Sequence, residues 1–348
     1  MTLSSSVVIC AYTLDRWLDL TASAGSVLGG AHRPQQLVVV IDHNDELLER
    51  TRRHFSGHRC DVAVVVAANA HRRGLSGARN TGIELATEDL VAFLDDDAVA
   101  DPRWLEQLLA PYDDPATLGV GGAARPVWPA APPGTRPRLY PSAAPDARGE
   151  LDWVVGCSYH GLPETAAPVR NLMGCNMSFR RSALESTTGF SEDLGRIGRT
   201  PLGCEETELC IRLRRIHGEA TSIVFDPSAL VSHRVSPDRV RWRYLLARCY
   251  GEGVSKAAVA VMVGSDAALA AERDYVRRIL PRALRRELRR ALSGHWHGVT
   301  GSTAILLGAG VTALGYLRGV VGRPANLPSE ARPANQPSEA RPAAAVTG

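Results

Sequence analysis

The chain has 348 residues, enough for one large α/β domain or two smaller ones, and its 45% hydrophobic and 22% charged content is ordinary for a soluble globular protein. A formal net charge of +3 is too small to argue for a nucleic-acid partner, and none is expected. Seven scattered cysteines without a C-x-x-C pair argue against a disulfide framework or a structural zinc site and favour a reducing, cytoplasmic setting; the first residues carry no signal-peptide pattern.

Val7-Val8-Ile9-Cys10-Ala11 reads as a buried strand, and the spacing that follows predicts a helix over residues 15–28. Gln36 to Ile41 is a second strand, closed by Asp42-His43-Asn44-Asp45, and Val62 to Ala67 is a third. Ser76 is placed to cap a helix ending near Ala86, and Leu90 to Leu94 is a fourth strand. Strands alternating with helices at this spacing imply right-handed βαβ units and a parallel sheet of the nucleotide-binding type.

Both common phosphate cradles are missing. The turn after the first strand, Ala11-Tyr12-Thr13-Leu14-Asp15, has no G-x-G-x-x-G, and Lys256 lies in no P-loop. A diphosphate bound without glycine amides needs metal and arginine to neutralise it. Asp95-Asp96-Asp97, beyond the carboxyl end of the fourth strand, and Arg79 can supply them. The competing reading is a solvated acidic turn before a helix begun by Asp101-Pro102.

Residues 121–168 are rich in Pro, Gly and Ala and read as a long connection, with Trp128, Trp153, Tyr159 and His160 as sugar or acceptor contacts or as core anchors. The glycine-punctuated stretch 194–203 suits a gate, and it leads to Glu205-Glu206 at the start of a helix with Leu209, Leu213 and Ile216 as its buried stripe and Gly218 as its stop. His233 follows a strand at 222–225 and an Asp226-Pro227 turn. Helices are expected from 239 to 263, with Arg241, Arg243 and Arg248 facing an anion, and over the arginine-rich stretch 267–292. Gly298 to Leu317 is uncharged and long enough to span a bilayer, although its glycines, serines and threonines leave three readings open: membrane-associated, packed on the catalytic domain, or dimer-forming.

Five motifs in order carry a family resemblance: Val-Val-Ile-Cys-Ala-Tyr near the start, Val38 to Asn44, Asn69 with Gly74 to Asn80, Phe93 to Asp97, and Gly174 to Arg181 continued by Glu205 to Cys210. From Val7 to His233 the chain resembles glycosyltransferase family 2. The resemblance implies a GT-A fold, α/β and Rossmann-like with a mostly parallel sheet flanked by helices, here with a helical C-terminal extension. It implies inverting, Mn²⁺- or Mg²⁺-dependent transfer from a nucleoside diphosphate-sugar, a UDP-sugar being favoured, to a hydroxyl-bearing acceptor. By the same resemblance Ala11, Tyr12, Asp42, Arg79, Asp95 and Asp96 bind the donor, Asp97 and His233 hold the metal, and Trp153 and Asn176 lie on the acceptor side. Glu206 is the expected base with Glu205 as its rival, because this chain has Glu-Glu where most members have Glu-Asp.

The expected organisation is a catalytic domain over 1–235, a helical extension over 236–321 that contacts a membrane in one reading, and a disordered Pro/Ala-rich tail over 322–348. Two alternatives stand beside transfer: a sugar-nucleotide pyrophosphorylase, and a non-catalytic nucleotide-binding partner of a membrane assembly. The expected location is cytoplasmic, with the inner face of the cell membrane as the place of contact.

Overall fold

The apolar, β-branched runs of the first hundred residues form the strands their composition favours. They are β1 (Ser5–Ala11), β2 (Gln36–Ile41), β3 (Ala63–Ala68) and β4 (Leu90–Asp95), joined through α1 (Trp17–Leu28), α2 (Asp45–Phe55) and α3 (Leu75–Leu85). The computed structural model describes residues 3–57, 61–129, 135–144, 146–197 and 202–322. The strands are parallel, with Ala11 opposite Ile41 and Cys10 opposite Asp95. Helices cover both faces, so each strand is apolar almost continuously rather than alternately: Val7 and Ile9 pack with Leu20 and Ala24 of α1, while Val8 packs with Ala78 of α3.

Further along the chain come β5 (Ala98–Ala100), α4 (Trp104–Leu109), β6 (Thr117–Val127), β7 (Ala167–Pro168), β8 (Asn176–Arg180), α5 (Arg181–Glu185), α6 (Glu205–His217) and β9 (Ser222–Arg234). The sheet order is β3-β2-β1-β4-β8-β6-β9-β5, with β7 on β9. The first half is parallel as expected. The second is mixed, because β8 inserts between β4 and β6 and runs against both.

Several local expectations are corrected. Gly74, at φ 138°, precedes α3, and the Ser76 hydroxyl donates to the Leu194 carbonyl instead of capping the helix. The cap of α2 is Asn44, whose side chain accepts from the Leu47 amide, which removes the capping alternative for Asp42. The stretch after Gly121 begins as strand β6, and Trp128 is a core anchor stacked on Tyr140 at 5.3 Å, while His160 is exposed. Ile216 is 51% exposed; Cys210 and Ile211 are buried on α6 beside Leu209 and Leu213. The turn at Asp226-Pro227 is a register shift inside β9, and Gly218 ends α6 as expected. Residues 198–201 of the supposed gate and the tail from 323 lie outside the described residues.

The C-terminal part is α7 (Trp242–Val263), α8 (Ser265–Asp274), a π-helical turn at Tyr275–Ile279, α9 (Leu280–Leu292) and α10 (Trp296–Val321). It shares a core with the middle of the chain, where Trp128, Tyr140, Leu151 and Val155 pack with Leu245, Leu280, Ala304 and Ile305. The glycines of α10 and its neighbours allow close approach: a Cβ on Gly253 would lie 2.1 Å from the Thr312 carbonyl oxygen, and one on Gly315 would lie 2.2 Å from that of Tyr250. One side of α10 is thus packed on α7 and α9. The other leaves Leu306, Leu307, Leu314, Val320 and Val321 exposed.

Candidate active site

Parallel register places the carboxyl ends of β1, β2 and β4 side by side, where ligands collect in open α/β sheets. Ala11, Tyr12, Asp42, Asp95 and Asp96 arrive there with Arg79 from α3, and all line one cavity of about 660 Å³. The pairing of β5 with β9 sets His233 opposite Ala98 and so beside the acidic triplet. The imidazole Nε2 is 3.1 Å from Asp97 Oδ1. One ligand atom each from Asp95, Asp97 and His233 lies within 4.8 Å of the others. The solvated-turn reading does not survive, because Asp96 and Asp97 are buried.

Two arginines that the sequence did not single out complete this end. Arg16 Nη1 is 2.7 Å from Asp96 Oδ1 and 3.2 Å from Asp97 Oδ2, and Arg239 Nη2 is 3.3 Å from Asp97 Oδ2. Burial opposes ionisation of Asp97, but His233, Arg239 and Arg16 outweigh it and hold the carboxyl well below its ordinary range. Asp96 goes the other way. Burial pushes it up to about 7; Arg16 opposes the shift, while Asp97 and Asp95 add to it. Asp96 Oδ2 is buried with no hydrogen-bond partner among the described residues.

Arg79 is 2% exposed, so it is no surface pairing residue. Its Nη1 donates to Glu205 Oε1 at 2.8 Å, and its Nη2 donates to the Gly174 carbonyl at 2.8 Å and lies 3.5 Å from Asp95 Oδ1. Gly174 leaves that guanidinium its room, since a Cβ there would come within 2.9 Å of Nη2. Arg79 thus ties the triplet to the first turn of α6. Asp42 accepts from Asn69 Nδ2 at 2.7 Å, the Gly74 amide at 3.0 Å and His43 Nδ1 at 2.9 Å, so it organises the loop as well as facing the cavity.

Glu206 lines the cavity next to Glu205, and burial, followed by repulsion from Glu205, pushes its carboxyl up to about 8. Cys204, just before the pair, has φ 72°, and His43, beside Asp42, has φ 50°; they are the non-glycine residues with positive φ among those described. Backbone strain of this kind persists where the surroundings over-determine it, and both positions adjoin the cavity.

Trp153 lines the cavity, with the Arg248 guanidinium carbon 5.8 Å from its ring centre. Asn176 does not reach it. Its fully buried amide donates to the Ala123 and Ala229 carbonyls and accepts from Trp104 Nε1, clamping β8 to β6, β9 and α4, so the acceptor-side expectation for Asn176 is withdrawn. Arg241 and Arg243 are exposed and absent from the lining, whereas Arg248 is in it with Arg170, Lys256, Glu252 and Glu272. No local sequence pattern marks Arg16 or Arg239: each is brought to the triplet only by tertiary structure.

The sequence model of Glycosyl transferase family 2 matches residues 6–188. The chain is 34% identical over 253 residues to a glucosyl-dolichyl phosphate glucuronosyltransferase of Haloferax volcanii, covering 72% of this chain and 75% of that protein. Among solved structures it resembles the mannosyltransferase PcManGT of Pyrobaculum calidifontis, solved with GDP-Man and Mn²⁺ (TM-score 0.58, 17% identity, 91% of this chain and 88% of that one). It also resembles GalNAc-T7, solved with UDP, GalNAc and Mn²⁺ (TM-score 0.51, 18% identity, 79% of this chain and 54% of that one).

Proposed function

The chain belongs to glycosyl transferase family 2, and from that premise we propose that it transfers a sugar, with inversion, from a nucleoside diphosphate-sugar to an acceptor hydroxyl. The observation that carries this reading is one cavity lined by Asp95 and His233, whose ligand atoms cluster with one of Asp97 behind them, and by Glu206. Membership of a transferase family sets aside the pyrophosphorylase and non-catalytic alternatives.

Two carboxylates and an imidazole form a donor set suited to Mn²⁺ or Mg²⁺, so Asp95, Asp97 and His233 would hold the ion. Bound there, a divalent cation would neutralise the donor diphosphate. Arg16 and Arg239 place guanidinium groups within reach of the same anion, fixed in advance by Asp96 and Asp97. Glu206 accepts the acceptor's hydroxyl proton. A carboxyl raised to about 8 is a stronger base than an ordinary carboxylate and better matched to an alcohol. Glu205, paired with Arg79, is a positioning residue for that turn of α6.

A UDP-sugar is the proposed donor, with a GDP-sugar as the competitor, since the solved neighbours carry one or the other nucleotide. The cytoplasmic setting proposed for the chain rests on its scattered cysteines, which form no C-x-x-C pair. The exposed apolar side of α10 and the arginine row of α9 support contact with the cytoplasmic membrane face. Incubation with UDP- and GDP-sugars, with water or an added alcohol taking the sugar, tests the reading by the nucleotide released: nucleoside diphosphate is expected, and release of pyrophosphate instead would refute it.

A further inference from the structure

The cavity does not end at the catalytic carboxylates. Beyond Glu206 it passes a cluster of buried and half-buried charges and then runs between α10 and the segment from α8 to α9. Its α10 wall is the i, i+4 stripe Ile305, Ala309, Ala313 and Leu317, and the facing wall carries Leu269, Val276 and Leu280. The π-helical turn that bears Val276 widens α8 at this point. Leu317 and Val276 are also 60% and 55% exposed, so this arm opens onto the surface, beside the exposed apolar side of α10.

Thr312, Tyr316 and Tyr275 also line the cavity, but the Thr312 and Tyr275 hydroxyls already donate to the Gly308 and Glu150 carbonyls, so a water-soluble sugar would find few hydrogen-bond partners along such walls, whereas a hydrocarbon chain would leave water there. Where the arm joins the catalytic end, Arg170, Arg248 and Lys256 line the cavity with Glu252 and Glu272. Lys256 Nζ is 2.7 Å from Glu272 and 3.5 Å from Glu252, and Arg248 is 2.8 Å from Glu252. Arg170 also pairs with Glu272, at 2.6 Å, so among the described residues three cations share two carboxylates, and the residual positive charge suits an anionic linkage between head and tail.

We propose that the acceptor is an amphiphile: a hydroxyl-bearing head at Glu206, a phosphate-type linkage at the Arg170, Arg248 and Lys256 cluster, and a hydrocarbon tail in the groove along α10. The proposal rests on the transferase reading of the same site. In the transfer step the acceptor oxygen bonds to the donor's anomeric carbon and the bond from that carbon to the diphosphate breaks. The hydroxyl proton passes to the Glu206 carboxylate, and the nucleoside diphosphate leaves with the bonding pair. The exposed side of α10 would rest against the bilayer that carries such a lipid.

The test is binding to the full chain of a series of prenyl monophosphates with five, ten and fifteen carbons, below their micellar concentrations, with inorganic phosphate as the control. Each methylene that leaves water should tighten binding about fourfold until the arm is full. Ala313→Trp should fill the groove and weaken the fifteen-carbon compound by about tenfold or more, leaving binding of UDP or GDP with Mn²⁺ unchanged. The proposal is overturned if affinity does not rise with chain length in the unaltered chain, or if Ala313→Trp binds the long compound as well as the parent. Nucleotide binding without any chain-length dependence would sink the lipid acceptor alone; loss of nucleotide binding as well would sink the transferase reading beneath it.

Discussion

Replacing Arg79 with leucine removes the buried tie between the acidic triplet and α6. The guanidinium is 2% exposed and sits 2.8 Å from Glu205, whose side chain is 5% exposed and whose Oε2 already lacks a hydrogen-bond partner among the described residues. Stranding a carboxylate in that setting costs about 3–5 kcal/mol, the range for breaking one half of a buried ion pair. For a chain of this size that is a fall in Tm of about 4–7 °C, readable by calorimetry. The double variant Arg79→Leu with Glu205→Leu leaves no charge from this pair and should recover most of the loss. Asp95, 3.5 Å from Arg79 and 31% exposed, then keeps access to water. If the single variant melts within about 2 °C of the parent, or the double is no more stable than the single, the tie is not what holds this corner together.

Glu206→Gln should keep nucleoside diphosphate binding and lose transfer by about 10²–10⁴-fold, measured by product release; if Glu205→Gln alone does so, the base is the neighbour. Transfer by the parent should rise with pH through about 8 as Glu206 ionises, and a profile flat between about pH 7 and 9 would contradict its role. Gly253→Val forces a side chain against the Thr312 carbonyl, 2.1 Å from the added Cβ, and should lower stability by about 1–3 kcal/mol by thermal melting. No loss would mean that α7 and α10 can separate.

The catalytic fold was legible because its signals are local. Continuous apolar runs ending in Asp42 and Asp95 mark buried parallel strands and the edge where their ligands sit, and the five motifs in order carried the family. Glu205 and Glu206 were readable as acids at a helix start, but their separate jobs were not, since pairing with Arg79 arises only when α3 and α6 meet. Arg16 and Arg239 were missed for the same reason: they reach Asp97 from residues 81 before it and 142 after it. Asn176 misled because a motif position says that a residue matters, and here it matters by joining β8 to the carbonyls of β6 and β9. The glycines of α10 weakened its membrane signal in the sequence, whereas in the fold Gly308, Gly315 and Gly319 meet α7, Gly298 and Gly301 meet α9, and the apolar side is left free.

The most direct test of the donor site is calorimetric titration of UDP, GDP and dTDP with and without Mn²⁺, into the parent and into Asp97→Ala. The account predicts that at least one nucleotide binds, that Mn²⁺ tightens it, and that the variant loses the Mn²⁺ effect while keeping its fold. Binding by none of the three in either condition, or an Mn²⁺ effect unchanged in Asp97→Ala, would contradict it.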